Sequence, residues 1–322
     1  MIFPFIRSRM IVGLSLHQHE ARLIKLKKSR KHVRIESVAI EPLPAGVLAE
    51  GKIQDANYLT ATLKGLIQNT HSTHCCASLA LPASCVFQKR IRLPSMLTDI
   101  EQEAEITANI QDYLPHSKDT LCFDFSKVNT SNDAYNNTHN TEDNILISAA
   151  RAEQLERYTA IMDEAGLHLR VIDIDTHALA RAVRHVMSTA LASRVAILDI
   201  EAGSGVFIVL TPDDISFSYA LSFDINTTET LSNIILQTKH AMQLYTAAHA
   251  EQPFTHLFLS GNIHLLPHLQ PLLQKETPAI INIINPFSCT DLAPSVNRDE
   301  LSHLAPSLTI AFGLAIRRIP QW

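Results

Sequence analysis

The sequence predicts an α/β protein made of two similar halves, with an insert in the first. Three observations carry that reading. Runs rich in Val, Ile and Leu at residues 11–16, 21–26 and 33–40 follow one another and lead into a helical pattern and a short buried strand. The same order returns from residue 195, where runs at 195–200, 206–210 and 215–221 precede a long helical pattern and another buried strand at 257–259. Between them, after Pro82 punctuates the chain, a distinct insert interrupts the first half. A chain of 322 residues has room for about two domains and a core that needs no staples.

Taken in order, the first three runs form a meander. Asp55 then caps a helix whose Leu59, Leu63, Leu66 and Ile67 fall on one face, and residues 76–81 return as a buried strand. After Pro82 an extended segment at 85–93 alternates with basic residues. Thr98 and Glu101 have the spacing of a capping box, opening a helix striped by Ile106, Ile110 and Leu114 that ends before Pro115. Its Glu101, Glu103, Glu105 and Asp112 form either a solvated acidic face or a dock for a basic partner. A strand at 121–128, a polar loop at 129–143 and a strand at 145–149 follow. A helix closed by Gly166, a strand at 169–174 and a helix carrying Leu179, Ala182, Val183 and Val186 return the chain to the first half. Residues 195–200 are apolar except for Asp199, the mark of a strand covered on both faces. Helices at about 226–248, 269–273 and 305–316 complete the pattern.

The formal charge of -5, with no Lys/Arg run longer than two, removes the electrostatic case for nucleic acid as a partner. Five cysteines, an odd and sparse set, argue against a disulfide framework and for a reducing compartment. No stretch of 18 uncharged apolar residues is present, so no transmembrane segment is expected, and Phe3, Phe5 and Ile6 beside Arg7 read as a lead-in to the first strand. Asp173, Asp175 and His177 have metal-ligand chemistry, but alternate strand residues point to opposite faces, and Asp175 reads better as a helix cap. The group His71, His74, Cys75 and Cys76 lacks a second pair at zinc spacing. Metal ligands and catalytic residues are therefore expected to be absent. The Asn-x-Thr triplet at Asn136, with Asn137 as its middle residue, falls in a chain not expected to be exported.

The informative feature is a turn after the first strand of each half. One runs through Ser15, Gln18 and Arg22; the other runs from Asp199 through Gly203, Ser204 and Gly205. Facing hairpins of this kind can pinch a phosphate chain, because small residues let backbone N–H groups approach an anion and an Asp can hold a metal-bound water. A third turn, at Ser260 and Gly261, lies where adenosine would enter. Together the three turns resemble the actin-like fold. The order and spacing of several further segments, among them 38–44, 90–94, 111–115, 171–175, 285–287 and 311–315, resemble the PilM family, the cytoplasmic actin-like proteins of type IV pilus assembly.

That resemblance implies a two-domain actin-like fold with a reduced second half. Residues 1–83 would form the first-half subdomain, 84–171 the insert, 172–193 the return, 194–304 the second half, and 305–322 a helix on the first half. It implies a cytoplasmic scaffold at the inner face of the membrane, part of the inner-membrane assembly complex that serves twitching motility, which receives the N-terminal tail of PilN. The tail would lie in a groove walled by Val38 and Ile40 on one side and Val86, Phe87, Arg90 and Arg92 on the other. Arg90 and Arg92 read equally well as ordinary exposed strand residues.

At the nucleotide turns the chain departs from the family pattern. Ser15 stands where a carboxylate is expected, His17 where a small residue is, Glu201 where a Gly is, and Asn262 where a second Gly is; Arg22 and Asp199 are kept. A carboxylate at Glu201 would repel phosphate. The interval from Asp199 to Ser260 holds one long helix in place of a lid. The expectation is a non-enzymatic scaffold with no cofactor and a degenerate cleft. The alternative is an ATP-binding member or slow ATPase in which Asp199 and the 203–205 turn clasp Mg-ATP. A third reading, the cytoplasmic half of an L-type type II secretion protein, expects a transmembrane helix after residue 322.

Overall fold

The computed structural model describes residues 9–28, 32–114, 120–128, 141–187, 194–212, 214–225, 227–249 and 252–317. The expected lead-in at residues 1–8, the loop residues 129–140 and the end of the chain from residue 318 lie outside these.

The meander forms as β1 (Arg9–Leu16), β2 (Glu20–Lys28) and β3 (Val33–Pro42), joined by a small hairpin of β4 (Leu48–Ala49) and β5 (Lys52–Ile53) to α1 (Ala56–Asn69) and β6 (Cys76–Leu81). Asp55 caps α1 by accepting the Tyr58 amide at 2.9 Å, and Leu59, Leu63, Leu66 and Ile67 are buried on its inner face.

The insert begins at β7 (Val86–Pro94). It continues through α2 (Asp99–Ala108), the single turn α3 (Ile110–Tyr113), β8 (Leu121–Lys127) and β9 (Glu142–Arg151), with sheet order β7-β9-β8. The Thr98/Glu101 capping box is present. The helix does not run on to Pro115 as one piece. It breaks at Asn109, whose side-chain amide reaches back to the Glu105 carbonyl at 3.1 Å and competes with the helical ladder. Leu93, Ile106, Ile110, Leu114, Ile145 and Ile147 give the insert its own core.

The insert also ends earlier than residue 171. In α4 (Ala152–Ala165), Tyr158, Ile161 and Met162 are buried in the first-half core, and β10 (His168–Ile174) joins the first-half sheet. Burial against α1 and the sheet decides that boundary. The six-stranded first-half sheet runs β10-β6-β1-β2-β3-β16, closed by the two-residue β16 (Asp291–Leu292).

After α5 (Asp175–Val186), the second half forms a five-stranded sheet of order β13-β12-β11-β14-β15. Its strands are β11 (Val195–Ile200), β12 (Ser204–Leu210), β13 (Ile215–Ser222), β14 (His256–Gly261) and β15 (Ile280–Ile283). All six residues of β11 are buried. Among the described residues a single helix, α6 (Thr230–Ala248), spans the interval between β13 and β14, and α7 (Leu266–Leu273) joins β14 to β15. The terminal helical stretch is three pieces: α8 (Arg298–Leu304), a 3-10 turn (Ala305–Leu308) and α9 (Thr309–Ala315).

Helix α9 decides the role of Gly13, in the middle of β1. A Cβ at that position would lie 2.0 Å from the Ala311 carbonyl oxygen and 2.6 Å from the Ala315 amide nitrogen. The glycine is there because the helix backbone rests on the strand, and not to shape a nucleotide turn.

Candidate functional site

A cavity of about 1680 Å3 opens between the halves and continues along the first half to the insert. Its walls include Ser15, Gln18, Arg22, Asp199, Gly203, Ser204 and Gly205 from the two facing turns, and Val38, Ile40 and Phe87 from the expected groove. Ser260, Gly261, Val86, Arg90 and Arg92 are not part of this lining. Ser260 is buried, donating to the Pro306 carbonyl at 3.1 Å. Gly261 takes φ +99°, and a Cβ there would meet the Ile200 carbonyl at 2.0 Å; strand crowding requires the glycine.

The centre of the cleft is an ion network. Arg22, on β2, is 2% exposed. Its Nη1 donates to Glu201 Oε1 at 2.6 Å and its Nη2 to Glu201 Oε2 at 2.7 Å, a bidentate pair across the cleft. Nε donates to Glu20 Oε1 at 2.8 Å, Nη2 also reaches Glu20, and Nη1 donates to the Ser307 carbonyl at 2.6 Å. Every N–H of the guanidinium thus has an acceptor. Burial alone would lower the Arg22 pKa, but Glu201 and Glu20 outweigh it and drive it up. Burial works to raise the Glu201 pKa, and Arg22 overrides it, holding the carboxylate ionised. His17 is pushed down to about 4 by burial and by Arg22, so its ring is neutral. Its Nε2 lies 3.2 Å from Arg22 Nη1 and 3.1 Å from Ser15 Oγ, which leaves the proton on Nδ1, 3.4 Å from Glu201 Oε1.

Two further carboxyls border the network. Asp199 is 4% exposed and pushed up to about 7 by burial and by the charge of Glu201. Asp175 is also pushed up to about 7 by burial. Asp175 is the first helical residue of α5 and not its cap; its Oδ1 accepts the amides of Ala83 and Thr176 at 3.1 and 2.6 Å, tying the start of the insert to α5. Asp173 is taken by Arg181 and Arg317 at 2.8 and 2.6 Å. Among the described residues no three His, Cys, Asp or Glu side chains are placed to share a metal ion.

These residues do not fit Mg-ATP. The carboxylate of Glu201 takes up the guanidinium that a phosphate would need, and Ser15 offers no charge to a cation. Asn262 is folded back, its amide donating to the Ile200 carbonyl at 2.6 Å and its Oδ1 accepting from His264 at 3.0 Å. A polyphosphate would also meet the carboxyls of Glu20 and Asp199, which line the same cavity.

Asp199 gives a pH dependence with a definite sign. Its folded pKa lies above the ordinary 3.8, so the folded state keeps a proton that the unfolded chain releases. Stability therefore falls as pH rises from about 4 to 7, and the full cost is present above that. Asp199→Asn is expected to stabilise the protein by up to about 4 kcal/mol at pH 8 and to change little at pH 4. Urea melts at the two pH values check this; equal effects at both would remove Asp199 as the titrating group.

The groove side is built differently. β16 pairs with β3 only at Arg34 and Ile35, so the outer edge of β3 from residue 36 onward has no strand partner among the described residues. That edge lines the cavity through Glu36, Ser37, Val38, Ala39 and Ile40. Phe87 and the β4–β5 turn line the same cavity. The turn is clamped by Tyr158 Oη and Gln154 Nε2, both donating to the Gly51 carbonyl at 2.8 Å. Arg90 does not face the groove as a free cation: it pairs with Asp214 and donates to the Ile215 carbonyl, bridging the insert to the second half. Arg92 is exposed.

Sequence reasoning singles out His17 and Glu201 as departures but misses that they meet Arg22, reads Asp175 only as a helix cap, and misses Glu20 and Ser307 entirely. The available signal was charge compensation. A new acid had entered one turn while the basic residue of the other turn was kept.

The comparisons with known proteins agree on family and fold. A family model described as type IV pilus assembly protein PilM matches residues 13–226 and 228–319. A solved PilM-PilN type IV pilus biogenesis complex is similar over 99% of this chain and 100% of that chain, with a TM-score of 0.82 and 18% identity. The ethanolamine utilization protein EutJ from Carboxydothermus hydrogenoformans is similar over 98% of this chain and 92% of its own, with a TM-score of 0.51 and 10% identity. Among curated proteins, the DNA utilization protein HofM of Escherichia coli (strain K12) is 29% identical over 171 residues, 53% of this chain and 61% of that protein's length. The fold is the actin-like α/β architecture.

Proposed function

The chain belongs to the family of the type IV pilus assembly protein PilM, and on that premise we propose that it is a non-enzymatic scaffold of pilus assembly that works without bound nucleotide. Its partner is the N-terminal tail of a PilN protein, taken up as an extended peptide in the groove between β3 and the insert. The observation that carries this reading is the open edge of β3 at residues 36–40, which lines a cavity also lined by Phe87 of the insert. An edge with unpaired backbone groups recognises a peptide by strand addition, and Val38, Ile40 and Phe87 supply apolar pockets for alternate side chains. Such a tail would bring the protein to the inner face of the membrane as a peripheral component. Among the described residues no helix is long and apolar enough to cross one.

A synthetic peptide of the PilN tail tests the reading. It is expected to bind saturably and to slow amide exchange over residues 36–40 and 86–93 by at least tenfold. A folded protein that shows no protection in either segment sinks the partner assignment. In the same buffer, Mg-ATP is expected to give no saturable heat up to millimolar concentration. Saturable binding that Asp199→Ala abolishes would restore the ATP-binding alternative.

A further inference from the structure

We propose that Glu201 is a built-in anion: its carboxylate fills an anion pocket formed by Arg22 and His17 and fastens the two halves together with no small molecule in the cleft. The argument begins with where the three groups come from. Arg22 projects from β2 in the first-half sheet, Glu201 follows β11 in the second-half sheet, and the Ser307 carbonyl belongs to the turn that leads into α9. Glu201 and Arg22 are 179 residues apart in sequence, yet they share two parallel N–H···O bonds of 2.6 and 2.7 Å.

A guanidinium buried to this degree needs every donor satisfied and its charge opposed, and a carboxylate in fork geometry does both. His17 completes the pocket. Held neutral, it turns its Nδ1 side toward Glu201 while its other nitrogen is engaged by Arg22 and Ser15. Another ionic tie, Arg90 of the insert with Asp214 of the second half, has its guanidinium about half exposed, where solvent screens it. The buried pair is the less screened of the two and acts beside the apolar cluster in which Leu179 and Leu314 meet Ile197 and Ile208. Its geometry is that of a bidentate oxyanion site whose occupant arrives on the same chain.

Two properties follow that a packing role would not give. Removing the carboxylate leaves Arg22 buried with an empty fork, so the facing turns loosen. A small free carboxylate of the same shape then substitutes for the missing one, because the pocket recognises the anion and not the side chain that carries it.

The test uses the full chain, with Glu201→Ala and Glu201→Gln, followed by amide exchange. In Glu201→Ala the amides of residues 17–19 and 201–205 are expected to exchange at least tenfold faster than in wild type. Formate at tens of millimolar is expected to reverse most of that, whereas sodium chloride at equal ionic strength does not. Wild type should respond to neither salt. Glu201→Gln keeps the shape and one acceptor oxygen but loses the charge, so about a threefold acceleration is expected, and it serves if Glu201→Ala does not fold. Unchanged exchange at both turns in a folded variant overturns the fastener. Faster exchange in Glu201→Ala that formate does not slow overturns the anion pocket and leaves a packing role. No partner or nucleotide enters these measurements, so their failure is separable from failure of the tail-binding reading.

Discussion

Arg22→Gln is expected to lower the unfolding free energy by about 3–5 kcal/mol and the melting temperature by roughly 10 °C. The size comes from what is left behind. Arg22 is 2% exposed, and its removal strands the Glu201 carboxylate, a neighbour of Asp199, without an opposing charge. Breaking a buried pair from one side is costly because the remaining ion has lost both water and partner. The Ser307 carbonyl also loses a donor. The stranded carboxylate is then expected to take up a proton, so the deficit should shrink as pH falls from 8 to 5. Glu20→Gln is the control. Glu20 is one-third exposed and its pair with Arg22 is correspondingly screened, so a change under about 1 kcal/mol is expected. Thermal and urea unfolding of the two variants would decide the matter: equal losses would mean that the inter-half pair has no special weight.

Gly13→Ala should be nearly as damaging, at about 3 kcal/mol or somewhat more, for a steric reason. The added Cβ would meet the Ala311 carbonyl oxygen at 2.0 Å and the Ala315 amide nitrogen at 2.6 Å, and both belong to the backbone of α9. A flexible side chain could give way; a helix backbone seated on a sheet moves only as a unit, so the strain exceeds that of an ordinary overpacked methyl group. Gly65→Ala is the contrasting variant. That glycine lies within α1, nothing stands within 4 Å of its Cβ position, and the substitution is expected to stabilise by roughly 0.5–1 kcal/mol. Urea melts of both proteins give the comparison. Gly13→Ala within 1 kcal/mol of wild type would refute the close approach of α9.

Much of the site was legible in the chain because its parts are local. The Asp55 cap, the Thr98/Glu101 box and the Gly166 stop each rest on contacts within a few residues, and all three are present. The buried run at 195–200 could be read as a doubly covered strand, since no polar side chain interrupts it before Asp199. The second-half hairpin and its place beside the first followed from repetition of the pattern. The departures at Ser15, His17, Glu201 and Asn262 were equally visible, because a residue of the wrong charge or size announces itself at a turn.

The failures were of another kind. The helix after Thr98 was read through Asn109, where a side-chain amide competes for the ladder. The insert was carried past residue 151 because periodicity tells that α4 has a buried face but not which core receives it. Arg90 reads from the sequence equally as a groove wall or as an ordinary exposed strand residue; it bridges to Asp214, a residue 124 positions away.

The sequence by itself determined the kind of protein: two repeated α/β halves, an insert, and facing turns that carry Ser15, His17, Glu201 and Asn262. Local periodicity and side-chain chemistry are sufficient for that, since each depends on neighbours along the chain. Only the tertiary structure decided what the altered residues do. Glu201, read alone, is a charge that repels phosphate; beside Arg22 it is the counter-ion that closes the cleft. Gly13, read alone, is a small residue inside a strand run; beneath α9 it is the residue whose missing Cβ lets the helix backbone approach. In both cases the deciding partner lies well over a hundred residues away, and nothing in local spacing encodes which distant surface the fold will press against it.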